Sequence, residues 1–135
     1  MEGLKNSSNY LKNVLTLAYL GDSVFALLIK EYLVKTYVLK PNALNKKANS
    51  VLCARAQAEI MRSVKQELNA DELDIVMRAR NTQLNSRAKH STLEEYSLAT
   101  QLEALIGYWY LNDEHDKLEN LLKKYVLERL WLLKV

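Results

Sequence analysis

One cysteine, one proline, three glycines and two histidines are all that 135 residues hold of those four types. Each shortage excludes something. Cys53 has no partner for an internal disulfide, which suits a reducing cytosol, and a buried apolar thiol is its expected role. So little glycine and proline, beside 49% hydrophobic residues, leaves few tight turns and describes an all-α protein. At this length it is a single domain with a substantial core. HExxH, P-loop, CxxC and G-x-S-x-G patterns are all missing. The opening MEGLKNSSNY has no basic-then-apolar signal pattern, and no uncharged apolar run is long enough to span a bilayer. A cytoplasmic protein without a membrane role is expected.

A net charge of +3 is too small to imply a nucleic-acid partner by itself, so its distribution matters more than its sum. Residues 35–67 carry +5 and residues 78–90 carry +4, while 68–77 and 91–110 carry −3 each and the remaining segments sum to zero. The second basic block holds Arg78, Arg80, Arg87 and Lys89 with no acid among them.

Two apolar segments each contain one charge. Leu15 to Ile29, LTLAYLGDSVFALLI, carries Asp22, and Ser97 to Leu111, SLATQLEALIGYWYL, carries Glu103. A carboxylate withdrawn from water needs compensation, at a cost of several kcal/mol otherwise. Helical periodicity puts Leu11, Leu15, Ala18, Asp22, Phe25 and Ile29 in one row, and Tyr96, Ala99, Glu103, Ile106 and Tyr110 in another, so both acids are expected inside core-facing stripes. If the helices cross, the carboxylates meet, and then one holds a proton or both share a cation. Oxygen ligands without His or Cys favour Mg²⁺ or Mn²⁺ over zinc. The structural alternatives are that Asp22 caps a helix restarting after Gly21 and that Glu103 pairs with a core arginine.

Along the chain, residues 1–9 are expected to be frayed and a long helix to run from about Tyr10 to Lys35, bent at Gly21 where the missing side chain lets another backbone come close. Pro41 starts a second helical stretch reaching about Leu68, with a break near Cys53. Asn69 caps a short helix that opens on Asp71 and Glu72 and ends near Arg80. Asn81 to His90 is a polar loop. Ser91 and Thr92, each followed three residues later by Glu94 or Glu95, offer a capping box to the helix that carries Glu103. Asp113, Glu114 and Asp116 separate it from a final amphipathic helix. His115 has no ligand spacing and receives no role. The run Tyr108-Trp109-Tyr110 cannot all face one side of a helix, so at least one ring meets another element or a partner.

LAYLGDSVFALLIKEYL, Leu17 to Leu33, resembles the signature helix of the ribonuclease III family, and LEALIGYWYL, Leu102 to Leu111, resembles its second acidic motif. With MRARN, the polar loop and HST between them, the chain is most similar to the Mini-ribonuclease III branch, which consists of the catalytic domain alone. The resemblance covers residues 10–135. It implies that Asp22 and Glu103 are the catalytic, metal-holding acids, with Mg²⁺ as the cofactor and Mn²⁺ as a substitute. Larger members carry further acids where this chain has Leu15, Ala18 and Thr100, a reduction typical of the Mini branch.

The implied chemistry is hydrolysis of an RNA phosphodiester in a duplex, by a metal-activated water attacking in line. Thr100 would orient that water from behind. Tyr19 matches an aromatic position that enters a pocket of a second subunit, so a homodimer is implied, one centre per strand. Arg78, Arg80, Arg87, Lys89 and His90 would grip the RNA backbone, with Lys46 and Lys47 extending the track. Precursor 23S ribosomal RNA is the implied substrate. The alternatives are a non-catalytic helical protein that binds double-stranded RNA, and a helical interaction module in which both acids serve packing.

Overall fold

A computed structural model describes residues 13–82 and 92–132, the last two by backbone alone. The expected frayed N-terminus and most of the polar loop, including Arg87, Lys89 and His90, lie outside the described residues. Among the described residues every regular element is helical. They are α1 (Val14–Thr36), α2 (Pro41–Leu52), α3 (Ala54–Val64) with a 3₁₀ turn Lys65–Glu67, α4 (Ala70–Thr82), α5 (Leu93–Leu111), α6 (His115–Leu121), a π-helical stretch Leu122–Val126, and α7 (Leu127–Leu132).

Local chemistry sets the boundaries. Pro41 occupies the first turn of α2, where a missing N–H leaves nothing unpaired. Cys53, extended at ψ 156°, breaks α2 from α3. It is exposed, contrary to the expected buried thiol, because the break turns it outward. At the start of α4 the Asn69 Oδ1 accepts from the Glu72 N–H at 2.9 Å, and the Asn69 N–H donates to Glu72 Oε1 at 2.9 Å. The capping box of α5 is Thr92 with Glu95: the Thr92 Oγ1 accepts from the Glu95 N–H at 3.0 Å, and the Thr92 N–H donates to the Glu95 carboxylate at 3.3 Å. α5 ends where Asp113 turns left-handed at φ 55°, a conformation its short polar side chain tolerates.

α1 and α5 form the most extensive helix pair, and α3 and α4 pack on α5 from other sides. α5 is therefore the central element. The main core joins Phe25, Ile29 and Leu33 of α1 to Ile60 and Met61 of α3 and Leu102, Leu105 and Ile106 of α5. Each such side chain contributes about 1.5–3 kcal/mol relative to exposure. A smaller cluster holds Val14, Leu17 and Ala18 against Ile75, Ala79 and Ala104. In the last helical run the buried positions step from Leu121 to Val126, and the wide π turn keeps both on the core side despite the five-residue spacing.

Of the aromatic run, Trp109 is buried and Tyr110 exposed, as one helix face requires. Trp109 Nε1 donates to Glu72 Oε2 at 2.6 Å, and Lys117 Nζ reaches the same oxygen at 2.5 Å. Glu72 thus ties α4 to α5 and α6. Among the described residues no helix is long and apolar enough to cross a membrane.

Candidate active site

What brings the two acids together is a glycine. A Cβ placed on Gly21 would collide with the backbone carbonyl of Glu103 and would stand 2.9 Å from the Gly107 nitrogen. Gly107 in turn faces the Leu17 backbone, where a Cβ would lie 2.9 Å from the Leu17 carbonyl carbon. α1 and α5 therefore touch main chain to main chain at these two points. Asp22, next to Gly21, is carried to the side chain of Glu103.

The acids sit at the rim of this crossing, which corrects the expected stripes. The buried positions of α1 are Val14, Leu17, Ala18, Gly21, Val24, Phe25, Ile29 and Leu33, whereas Leu15 and Asp22 are exposed. Glu103 is half-buried and Tyr110 exposed. A rim position lets solvent or a ligand reach the pair, whereas a core stripe would have sealed it.

Burial and the Asp22 carboxyl beside it push the Glu103 carboxyl up to about 8, with only a hydrogen bond from Gln57 acting the other way. Among the described residues no arginine or lysine acts on it, so the core-arginine alternative finds no partner there. α1 also runs as one helix through Gly21 and Asp22, so no break marks the expected bend and Asp22 caps nothing.

Gln57 is the residue of this neighbourhood that sequence reasoning missed. It is 3% exposed, and its amide Nε2 donates to the Leu52 carbonyl at 2.9 Å across the Cys53 break. Its Oε1 is buried and has no hydrogen-bond partner among the described residues. The available signal was a polar residue between Ala56 and Ala58 on a face otherwise apolar.

The two carboxylates fit a hard divalent cation, which takes oxygen ligands. Among the described residues no cluster of three or more His, Cys, Asp or Glu forms. An ion here would keep much of its coordination shell for water and substrate.

Thr100 is buried one turn before Glu103, and its hydroxyl donates to the Tyr96 carbonyl at 3.0 Å, leaving lone pairs able to accept. Arg78 and Arg80 are exposed on the last turns of α4. Arg78 Nε pairs with Asp74 at 2.9 Å, while Arg80 lines a groove with Lys65, Glu94 and Ser97. Lys47 is not part of a basic track. It is buried, with Nζ 3.5 Å from the Leu130 carbonyl and 4.6 Å from the centre of the Tyr37 ring. Tyr19 is 83% exposed, and Leu15, one turn earlier, is 41% exposed, so neither packs into its own chain's core.

Among the described residues the domain is all-helical, and its two central helices present a carboxylate pair where they cross. The family model described as Ribonuclease III domain matches residues 15–114. The chain belongs to the ribonuclease III family of endoribonucleases. It is 36% identical over 114 residues to the Mini-ribonuclease 3 of Brevibacillus brevis, covering 84% of this chain and 85% of that protein. The Mini-ribonuclease 3 of Clostridium tetani is 38% identical over 112 residues, covering 82% of this chain and 74% of that protein. Among solved structures, a protein of Fusobacterium nucleatum superposes with a TM-score of 0.75 at 30% identity, covering 82% of this chain and 88% of that one.

Proposed function

We propose that this chain is a cytoplasmic, Mg²⁺-dependent endoribonuclease that cuts double-stranded RNA as a homodimer, with precursor 23S ribosomal RNA as its substrate. The observation that carries this is the Asp22–Glu103 pair, two carboxyls held together by close helix contact with, among the described residues, no cationic side chain acting on Glu103. Family membership supports the duplex substrate, and the ribosomal target follows from the resemblance to the Mini branch.

When bound, the cation supplies an acidified water and offsets the charge that grows on the phosphate. Asp22 and Glu103 hold and orient it. Both must be anionic to do so, and since Glu103 is raised to about 8, binding near neutral pH releases a proton. The hydrogen bond from Gln57 favours the Glu103 anion, and Thr100 has lone pairs left to accept a hydrogen from water beside Glu103. Arg78 and Arg80, with Arg87, Lys89 and His90 of the adjoining segment, hold phosphate oxygens of the duplex. Tyr19 and Leu15 form part of the twofold contact that sets one centre against each strand.

The test is cleavage of a long RNA duplex by the purified protein, with Mg²⁺ or with chelator, and with Asp22→Asn in parallel. Cutting that needs both the metal and Asp22 is expected. Duplex binding without cutting, in Mg²⁺ and in Mn²⁺, would reassign the chain to the non-catalytic RNA-binding alternative.

A further inference from the structure

Gln57 stands behind the acidic pair with an unusual balance of hydrogen bonds. The amide carries two N–H groups and one carbonyl oxygen. The NH₂ donates to the Leu52 carbonyl at 2.9 Å, and the amide favours the Glu103 anion. An amide flip would set Oε1 against the Leu52 carbonyl oxygen, so the assignment is fixed by that neighbour. Oε1 then remains buried without a donor among the described residues. Such an orphan is costly to bury unless something donates to it.

The neighbours explain why nothing in the fold does. Ala56 and Ala58 flank it on α3, and neither carries a donor in its side chain. Metal-free Glu103 holds a proton near neutral pH, but once both acids are ionised, as holding a cation requires, they offer only acceptors. What would satisfy Oε1 is a hydrogen presented from the site itself, by a water in the shell of a cation held between Asp22 and Glu103.

We propose that Gln57 is the third oxygen of the metal site, its Oε1 accepting a hydrogen from a water coordinated to the ion that Asp22 and Glu103 bind. One amide then acts on both sides of the charge: its NH₂ favours the Glu103 anion, and its oxygen holds the ion's hydration shell. Groups of this kind orient the ligands of a site, and removing one weakens metal binding by about 10–100-fold. The proposal rests on the metal-site reading of the pair and adds a residue to it.

The experiment titrates Mn²⁺ alone into the full chain without RNA, following the free-ion signal by electron paramagnetic resonance. Asp22→Asn, Gln57→Met and Gln57→Glu are compared, with helix content checked by circular dichroism. Gln57→Met keeps the length and removes the oxygen, and it should weaken Mn²⁺ binding about tenfold. Gln57→Glu keeps an oxygen and removes the NH₂, and it should bind Mn²⁺ at least as tightly as the unaltered protein. Equal losses in both would place the effect in the hydrogen bond to Leu52 and overturn the proposal, as would no change in either. If Gln57→Met does not fold, Gln57→Glu decides alone, with affinity maintained or raised in support and affinity lowered against. Asp22→Asn separates the two levels: if it leaves Mn²⁺ affinity unchanged, the metal site itself is wrong, whereas weaker binding there beside unaltered Gln57 variants removes Gln57 only.

Discussion

The α-carbon of Gly21 lies against the backbone carbonyl of Glu103, so close that no other side chain fits between them. The obstacle is main chain on a buried central helix, which cannot swing away as a flexible side chain would. Gly21→Ala must push α1 off α5 at the point that joins Asp22 to Glu103. The expected loss is about 3 kcal/mol or more, at the upper end for overpacking. Urea unfolding checks it, and any folded fraction should cut RNA poorly because the carboxyls no longer meet.

Glu103 makes metal-free stability depend on pH. Its folded pKa, about 8, lies above the ordinary 4.5, so between those values the folded state holds a proton that the unfolded chain has released. Stability therefore falls as pH rises from about 4.5 to about 8, with a limiting slope of about 1.4 kcal/mol per pH unit for one proton. Chemical denaturation in chelator at pH 5, 6, 7 and 8 should show the decline in the natural sequence and little of it in Glu103→Gln. Asp22→Asn should be neutral or slightly stabilising at pH 8 without metal, since a repulsion disappears, and both variants should abolish cleavage while keeping the fold. Unfolding of both would mean that the acids serve packing.

Glu72 shows the opposite behaviour. Burial raises its pKa, but Lys117, the Asn69 N–H and Trp109 together outweigh that and hold it below the ordinary value. Its contribution is then present above the unfolded pKa near 4.5 and is lost as pH falls through the lower folded value. Glu72→Ala should cost about 3 kcal/mol, because it leaves a buried indole N–H unpaired and a partly buried ammonium without its anion. Lys117→Met should cost less, since that side chain is partly solvated. Trp109 fluorescence reports both unfolding transitions directly.

Helices were legible wherever a local rule sets them: Pro41 opening α2, Asn69 with Glu72 at α4, Thr92 with Glu95 at α5. The two acids were legible as a pair because each was the one charge in an apolar stretch. Their depth was not. α1 carries apolar residues all round, with Leu15, Tyr19, Leu27 and Val34 exposed, so a row drawn through hydrophobic positions had no polar side to orient it. Cys53 and Lys47 were misjudged for a related reason, since a helix break and a backbone carbonyl from Leu130 are tertiary facts that residue type does not carry. Gln57 offered only a weak signal, one neutral polar residue among apolar ones, and its unusual property, an oxygen with no donor, exists only after α3 has packed on α5.

The basic segment should act through charge. Arg78 is engaged by Asp74, so Arg80 of α4, with Arg87 and Lys89 beyond it, is the better candidate for binding phosphate. Changing these three to alanine should weaken duplex binding about equally for all sequences and flatten its salt dependence. The log–log slope should drop by about 0.9 for each phosphate no longer neutralised, if the duplex behaves like B-DNA. Binding measured at several salt concentrations checks this. An unchanged slope would remove the segment from the RNA interface.

Tyr19 places a large aromatic ring almost wholly in water, and Leu15 beside it on the helix adds apolar surface that the monomer leaves exposed. An exposed ring gains nothing from folding, but in a twofold contact each copy's Tyr19 can bury against its partner, so one substitution acts twice per dimer. Tyr19→Ala should shift the dimer toward monomer by about 1–2 kcal/mol per ring, or tenfold or more in dissociation constant, with unfolding of the monomer unit little changed. Sedimentation equilibrium measures the shift. If paired centres are needed to cut both strands, the monomeric variant should lose double-strand cleavage before it loses Mn²⁺ binding. A Tyr19→Ala protein that stays dimeric at micromolar concentration would move the interface elsewhere on α1, with Leu27 and Val34 the next exposed apolar positions to test.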